Sequence, residues 1–149
     1  MARPPVLPEF DAKIAETFIR ASATVGGLPG YLGVRFVQMT AGRLVASMAV
    51  REDLLTPFGT LHGGVMAGLV DHVLGCVLYP LMQRGQWAAT TEFKLNYLAA
   101  VRGGTLVAES TVVSFTKRTA VVRCEVSNEE QLVCVAQGTL LVTDPVKQG

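Results

Sequence analysis

The stretch "LHGGVMAGLVDHVLG", Leu61 to Gly75, decides the fold. Val65, Met66, Ala67, Leu69 and Val70 precede Asp71, and Val73 and Leu74 follow it, so apolar or small residues surround a single carboxylate. A run that is apolar on all sides, opened by His62-Gly63-Gly64 and ended near Pro80, reads as a long helix enclosed by other elements. An enclosed, ionised carboxylate costs several kcal/mol, on the order of a lost ion pair, unless something compensates it. Asp71 is therefore expected to have either a structural partner, with Arg35 and Lys94 as candidates, or a chemical task.

Upstream of this helix lies a proline-rich arm, then an amphipathic helix over residues 9–23 in which Phe10, Ile14 and Phe18 recur every four positions. "GGLPG" (26–30) forces a turn. Two β runs follow, 31–39 and 43–51, joined by "TAG" as a hairpin, and "EDLLTPFGT" connects them to the central helix. Downstream, after "QRGQ", come β runs over 88–98, 105–115, 119–127 and 131–142. Their joints, "RGG", "FTKR" and "NEE", are short enough for an antiparallel meander. Segregated helices and strands define an α+β chain of one domain, with an N-terminal arm and helix over 1–30 and the main body over 31–149. A sheet wrapped around one helix leaves an unpaired edge. Pairing that edge with a second copy would hide apolar surface, so a dimer is expected.

The composition supports this reading. Of the 149 residues 50% are hydrophobic, and the mean hydropathy of +0.38 favours buried surface between subunits. The longest apolar run, 65–82, is interrupted by Asp71 and His72, so no membrane span is expected, and the prolines of "MARPPVLPEF" do not read as an export signal. Thirteen basic residues against 12 acidic ones, without a basic stripe, argue against nucleic acid as a partner. Cys76, Cys124 and Cys134 lack CxxC spacing and lie in apolar segments, which reads as core thiols in a reducing cytoplasm. Met39, Met48, Met66 and Met82 also read as core, and His72 as a core or rim residue. His62 and His72 with scattered cysteines form no metal-ligand pattern, and there is no phosphate-binding glycine loop.

Three segments carry a resemblance: "PFGTLHGGVMAGLVD" (57–71), "TTEFKLNYLAAVRGGTLVAESTVV" (90–113) and "VAQGTLLVT" (135–143). Together, over residues 31–143, they resemble the hotdog-fold acyl-CoA thioesterases of the phenylacetate-pathway and 4-hydroxybenzoyl-CoA types. The resemblance implies an antiparallel sheet around the central helix, and an acyl-CoA substrate with no cofactor beyond the coenzyme A it carries. It implies Asp71 as base or nucleophile, the Gly63 N–H as donor to the thioester oxygen, His62 as a supporting contact, and Thr90, beside Thr91, as a water holder. Six residues before the His, where those enzymes carry Asn or Gln, this chain has Thr56, whose hydroxyl offers one donor on a shorter reach. Gly64, Phe58 and Thr91 are expected as further substrate contacts, and Arg102, Lys117 and Arg118 sit at strand joints where the phosphates of coenzyme A could rest.

The chemistry fits those residue types. A helix N-terminus supplies free N–H groups and partial positive charge, and glycines let a substrate approach them. One well-placed donor to a developing oxyanion is worth about 3 kcal/mol of barrier. Asp71, however, lies eight residues after Gly63, roughly 12 Å along one helix. One carbonyl cannot touch both, so the carboxylate is expected from a second subunit, in a homodimer or dimer of dimers with two equivalent sites per dimer. Bland alternatives stand beside this: the glycine pair as close helix–sheet packing, and His62 as a helix-start hydrogen bonder. A non-catalytic acyl-CoA binder and a dehydratase or hydratase on the same fold are the competing functions. Leu69, Val73, Phe58 and Phe93, with space at Gly68 and Gly75, point to an aliphatic or aromatic acyl group.

Overall fold

Asp11 opens the first helix. Its carboxylate accepts hydrogen bonds from the N–H groups of Lys13 and Ile14 at 2.9 and 3.1 Å, and α1 runs over Ala12–Ala21. The structure, a computed structural model, describes residues 3–145. The expected "GGLPG" turn is instead a short helix, α2 (Gly27–Leu32), closed by Gly33 in the left-handed conformation at φ +75°. Pro29 falls in its first turn, where a missing N–H costs nothing, which is why a proline does not prevent it. The first strand consequently starts later than the β run suggests: β1 is Arg35–Thr40, and it pairs with β2 (Arg43–Ala49) as the expected hairpin.

The central helix, α3 (Gly63–Cys76), is followed by a 3-10 turn at Tyr79–Leu81. Four long strands complete the chain: β3 (Trp87–Tyr97), β4 (Thr105–Phe115), β5 (Thr119–Asn128) and β6 (Gln131–Thr143). All pair antiparallel in one six-stranded sheet of order β1-β2-β4-β5-β6-β3. Only β4-β5-β6 is a meander. The joint containing "RGG" is no hairpin: β3 pairs with β6, and residues 98–104 cross back so that β4 lies between β2 and β5. The crossing runs beside the start of α3, where the Leu61 N–H donates to Val101 O at 2.7 Å. It leaves β3, eleven residues long, as an edge strand with one side of its backbone unpaired.

The sheet does not enclose α3. Met66, Leu69, Val70, Val73, Leu74 and Cys76 are buried against it, and the buried Ser110 hydroxyl donates to Val73 O at 3.0 Å. Gly64 and Asp71 are exposed, while Ala67, Gly68, His72 and Gly75 are half-buried. The expected enclosure is thus corrected to one face buried on the sheet and one face of small residues that is partly open: Leu28 and Leu32 of α2 cover it at Gly68, and Gly64 and Asp71 remain exposed. The helical stretch Gly63–Leu81 has the length and apolarity to cross a membrane, yet its large side chains are used in the core. The four methionines named above are buried, as are the three free cysteines. Burial pushes the Cys76 and Cys124 thiols up to about 12 and Cys134 to about 11, leaving them unreactive.

One glycine fixes how β3 meets the rest. A Cβ on Gly138 of β6 would lie 2.7 Å from Phe93 Cβ, 2.8 Å from Glu92 O and 3.1 Å from Leu74 Cδ1. The partners are backbone and packed side chain, so little can yield. Gly138→Ala is expected to destabilise the fold by about 1–3 kcal/mol, as overpacking does, read as a lowered midpoint in urea unfolding.

Candidate active site

The site starts from the helix cap. His62, extended at φ −65° and ψ 133°, is the N-cap of α3, and its Nδ1 accepts the Gly64 N–H at 2.9 Å. Accepting at Nδ1 requires the neutral tautomer with the proton on Nε2. His62 O takes the N–H groups of Val65 and Met66. Tyr97, the last residue of β3, donates its hydroxyl to Gly63 O at 2.8 Å. The Gly63 N–H makes no hydrogen bond among the described residues.

In front of the cap lies a tight turn. The Thr56 N–H donates to Thr60 O at 2.7 Å, and Thr56 Oγ1 both accepts the Phe58 N–H at 3.2 Å and sits 3.1 Å from Thr60 Oγ1. Arg102 Nη1 lies 3.5 Å from Phe58 O and 3.4 Å from Gly59 O, holding the far side of the turn. Turn, cap and crossing segment enclose an open cavity of about 510 Å³, lined by Thr56, Thr60, Gly63, Met66 and Tyr97 together with residues 98–101. On the other side of the cap, His62, Gly64 and Val65 line a second pocket of about 330 Å³ with Leu28, Tyr31 and Leu55.

Of the residues expected at the site, the fold brings Thr56 and Gly63 to one cavity, with Arg102 behind its turn and His62 and Gly64 just around the cap. Asp71 is two helical turns away, and it is exposed in the single chain, not buried. No ion pair compensates it among the described residues. Arg35, one proposed partner, spends its guanidinium on Ser22 O at 2.9 Å and Val34 O at 3.1 Å. Lys94 is exposed on β3. The carboxylate needs no partner because the open face of α3 leaves it in water. His72 beside it is half-buried and stacks on Phe36 with ring centroids 5.3 Å apart; burial lowers its pKa and the Asp71 charge partly restores it.

The remaining expectations scatter. Thr90 is exposed one residue before the bulge of β3, and the Thr91 hydroxyl donates to Thr139 O at 2.9 Å. Phe58, at the tip of its turn, is 87% exposed and is not part of the lining of the Gly63 cavity. Lys117 lines a different cavity with Leu7, Leu81 and Phe115, and Arg118 lies in the adjoining turn, so neither reaches the Gly63 cavity within one chain. Leu69 and Val73 are fully buried core residues, not acyl-pocket wall, because they point into the sheet. The space at Gly68 is occupied by Leu28 and Leu32, with Cδ atoms 3.3 and 3.4 Å from where a Cβ would lie. The two other residues that bring polar side chains to the cavity, Thr60 and Tyr97, are not among the expected site residues, nor is its apolar lining. The turn signature "TPFGT" was a usable signal for Thr60. Tyr97 ends an ordinary-looking β run and gave none.

A six-stranded antiparallel sheet holding one long helix, with an open N-terminal cap facing a cavity, is the hotdog architecture. The family model for the thioesterase superfamily matches residues 58–135, and the chain belongs to that superfamily. It is similar to a 1,4-dihydroxy-2-naphthoyl-CoA hydrolase of Listeria monocytogenes, 28% identical over 117 residues that cover 78% of this chain and 95% of that one. A putative esterase of Bacillus subtilis is 33% identical over 113 residues, covering 74% and 90%. Among solved structures, a thioesterase from Haemophilus influenzae superposes with a TM-score of 0.81 over 90% of this chain and 93% of its own, at 23% identity, a likeness of fold.

The geometry of Thr56 gives a test of its role. Thr56→Val keeps the shape and loses both hydroxyl contacts of the turn, so turnover of an acyl-CoA is expected to fall by about 1–3 kcal/mol in kcat/KM. Thr56→Asn can accept the Phe58 N–H in an Asx turn and adds a donor toward the cavity, so it is expected to keep or raise turnover. A Val variant equal to wild type with an impaired Asn variant would make Thr56 a packing residue.

Proposed function

We propose that the protein hydrolyses an acyl-CoA thioester to the free acid and coenzyme A, at two equivalent sites shared between the chains of a homodimer. One observation carries this reading: the free Gly63 N–H and the unpaired Asp71 carboxylate stand roughly 12 Å apart along one helix. A twofold pair of antiparallel α3 helices would set Gly63 of one chain against Asp71 of its mate. The open, small-residue face of α3 and the unpaired edge of β3 support such a pairing. A dimer of dimers in the cytoplasm is compatible with this unit.

At each site the thioester oxygen accepts the Gly63 N–H, aided by the positive end of the α3 dipole. Asp71 from the other chain takes a proton from water, whose oxygen bonds to the carbonyl carbon. The C–S bond then breaks, and the thiolate of coenzyme A takes the proton back. Attack by the carboxylate itself, through an anhydride that water then opens, uses the same placement. Ala99 and Ala100 keep the wall of the cavity low where a linear pantetheine arm would lie. Arg102 uses one nitrogen on the turn and keeps donors for a phosphate. The apolar lining from Leu61, Met66, Leu98 and Val101 fits an uncharged acyl group. Membership of the thioesterase superfamily favours hydrolysis over a purely binding role.

Release of free thiol from a panel of acyl-CoA esters tests the activity directly. Asp71→Asn keeps the volume and removes the base, so thiol release is expected to be nearly abolished while the assembly stays folded. Mixing Asp71→Asn with Gly63→Val, each inactive alone, is expected to restore activity, because one site of the heterodimer then carries both lesions and the other none. No recovery after subunit exchange confirmed by mass would exclude the shared site.

A further inference from the structure

The Gly63–Gly64 peptide is held at both ends. Its carbonyl, on Gly63, accepts the Tyr97 hydroxyl at 2.8 Å, and its N–H, on Gly64, donates to His62 Nδ1 at 2.9 Å. The two side chains also close the space over the two glycines. A Cβ on Gly63 would meet Tyr97 Oη at 2.9 Å and Cζ at 3.1 Å, and one on Gly64 would meet His62 Nδ1 at 3.1 Å. Consecutive glycines have the widest backbone freedom of any pair. Here the first turn of α3, through the Val65 and Met66 N–H groups on His62 O, limits that freedom, and one residue of the helix cap and one from the end of the edge strand limit it further.

We infer that Tyr97 is a positioning residue: its hydroxyl, working against His62, fixes the Gly63–Gly64 peptide on one side of the Gly63 Cα, while Val65 and Met66 hold His62 O on the other, so that the Gly63 backbone cannot swing and its N–H, in the His62–Gly63 peptide, stays aimed into the cavity. The inference rests on the reading of Gly63 as the oxyanion donor. Tyr97 lines the same cavity, yet its hydroxyl is engaged with Gly63 O, so it acts through the backbone. A donor that must point at a developing charge gains from being held before the substrate arrives. It also ties the donor to the last residue of β3, so that any shift of the edge strand moves the donor with it.

Tyr97→Phe keeps the ring and removes the hydroxyl. Two readouts on the assembled protein separate the clamp from the chemistry: amide hydrogen exchange at Gly63 and Gly64 by NMR, and kcat and KM for thiol release from the best acyl-CoA of the panel. The expected result is faster exchange at Gly64, a roughly tenfold lower kcat and a KM within about twofold, as for an interaction that matters in the transition state. Unchanged exchange at both glycines overturns the clamp, whatever the rate does. Faster exchange with unchanged kcat overturns the positioning role and locates the failure in the oxyanion reading, since the clamp itself would then be real. A second pair guards against a folding artefact. Gly63→Ala is expected to lower the unfolding temperature in the wild-type background and to have little further effect in a Tyr97→Ala background. Equal losses in both backgrounds would mean that Tyr97 is not what excludes a side chain at position 63.

Discussion

A helix laid on one sheet can bury only one of its sides, and the rest of this structure follows from that limit. Leu69, Val70, Val73 and Leu74 take the buried side of α3 and fix its axial position against the strands. The other side carries Gly64, Ala67, Gly68, Asp71 and Gly75, and of these α2 covers Gly68 while Gly64 and Asp71 stay exposed. Since the helix lies across the sheet, its N-terminus must meet whatever segment crosses between strands, and here that is 98–101, immediately after Tyr97. The cap, the turn at 56–60 and the end of the edge strand therefore converge at one place. The cavity is where three separate backbone segments run out of sheet to pack on.

The glycines at the cap are approached closely by the ends of two side chains. Neither Gly63 nor Gly64 has a positive φ, so no left-handed conformation demands them. Each is instead approached by a polar side chain that a Cβ would displace, Tyr97 at the first and His62 at the second. The consequence is a peptide unit with both polar groups satisfied next to an N–H with none. In a helix start the first N–H groups have no intrahelical partner. Filling the Gly64 donor with His62 while leaving the Gly63 donor open turns a general property of helix ends into one directed donor.

Much of this was legible in the sequence, and the parts that were not share a cause. The strand runs over 105–115 and 131–142 nearly coincide with β4 and β6, because runs rich in Val and Thr between short polar joints favour strands. The helix at His62-Gly63-Gly64 was equally plain. Two errors came from reading local signals without their tertiary setting. "GGLPG" has the composition of a turn, but α2 packs Leu28 and Leu32 over Gly68, and that contact sustains one helical turn with a proline in it. "RGG" is short enough for a hairpin, but hairpin length does not determine which strands pair. Tyr97 could not have been found, since nothing in "KLNYLAA" says that the next segment must pass a helix cap.

Asp71 shows the difference between a residue's surroundings in a chain and in an assembly. From its apolar neighbours it reads as enclosed, while in the single chain it faces water and bears no desolvation cost. Both observations hold together if the open face of α3 is completed by a second copy, as proposed. Removing water from an unpaired carboxylate then costs several kcal/mol. That cost has to be met by the association itself, through hydrogen bonds along the unpaired edge of β3 and burial of the apolar groups around it. On the proposed reading the carboxylate works against the dimer that it serves. In that reading the charge at position 71 is a cost that packing alone does not call for, and the proposed hydrolysis is what would use it.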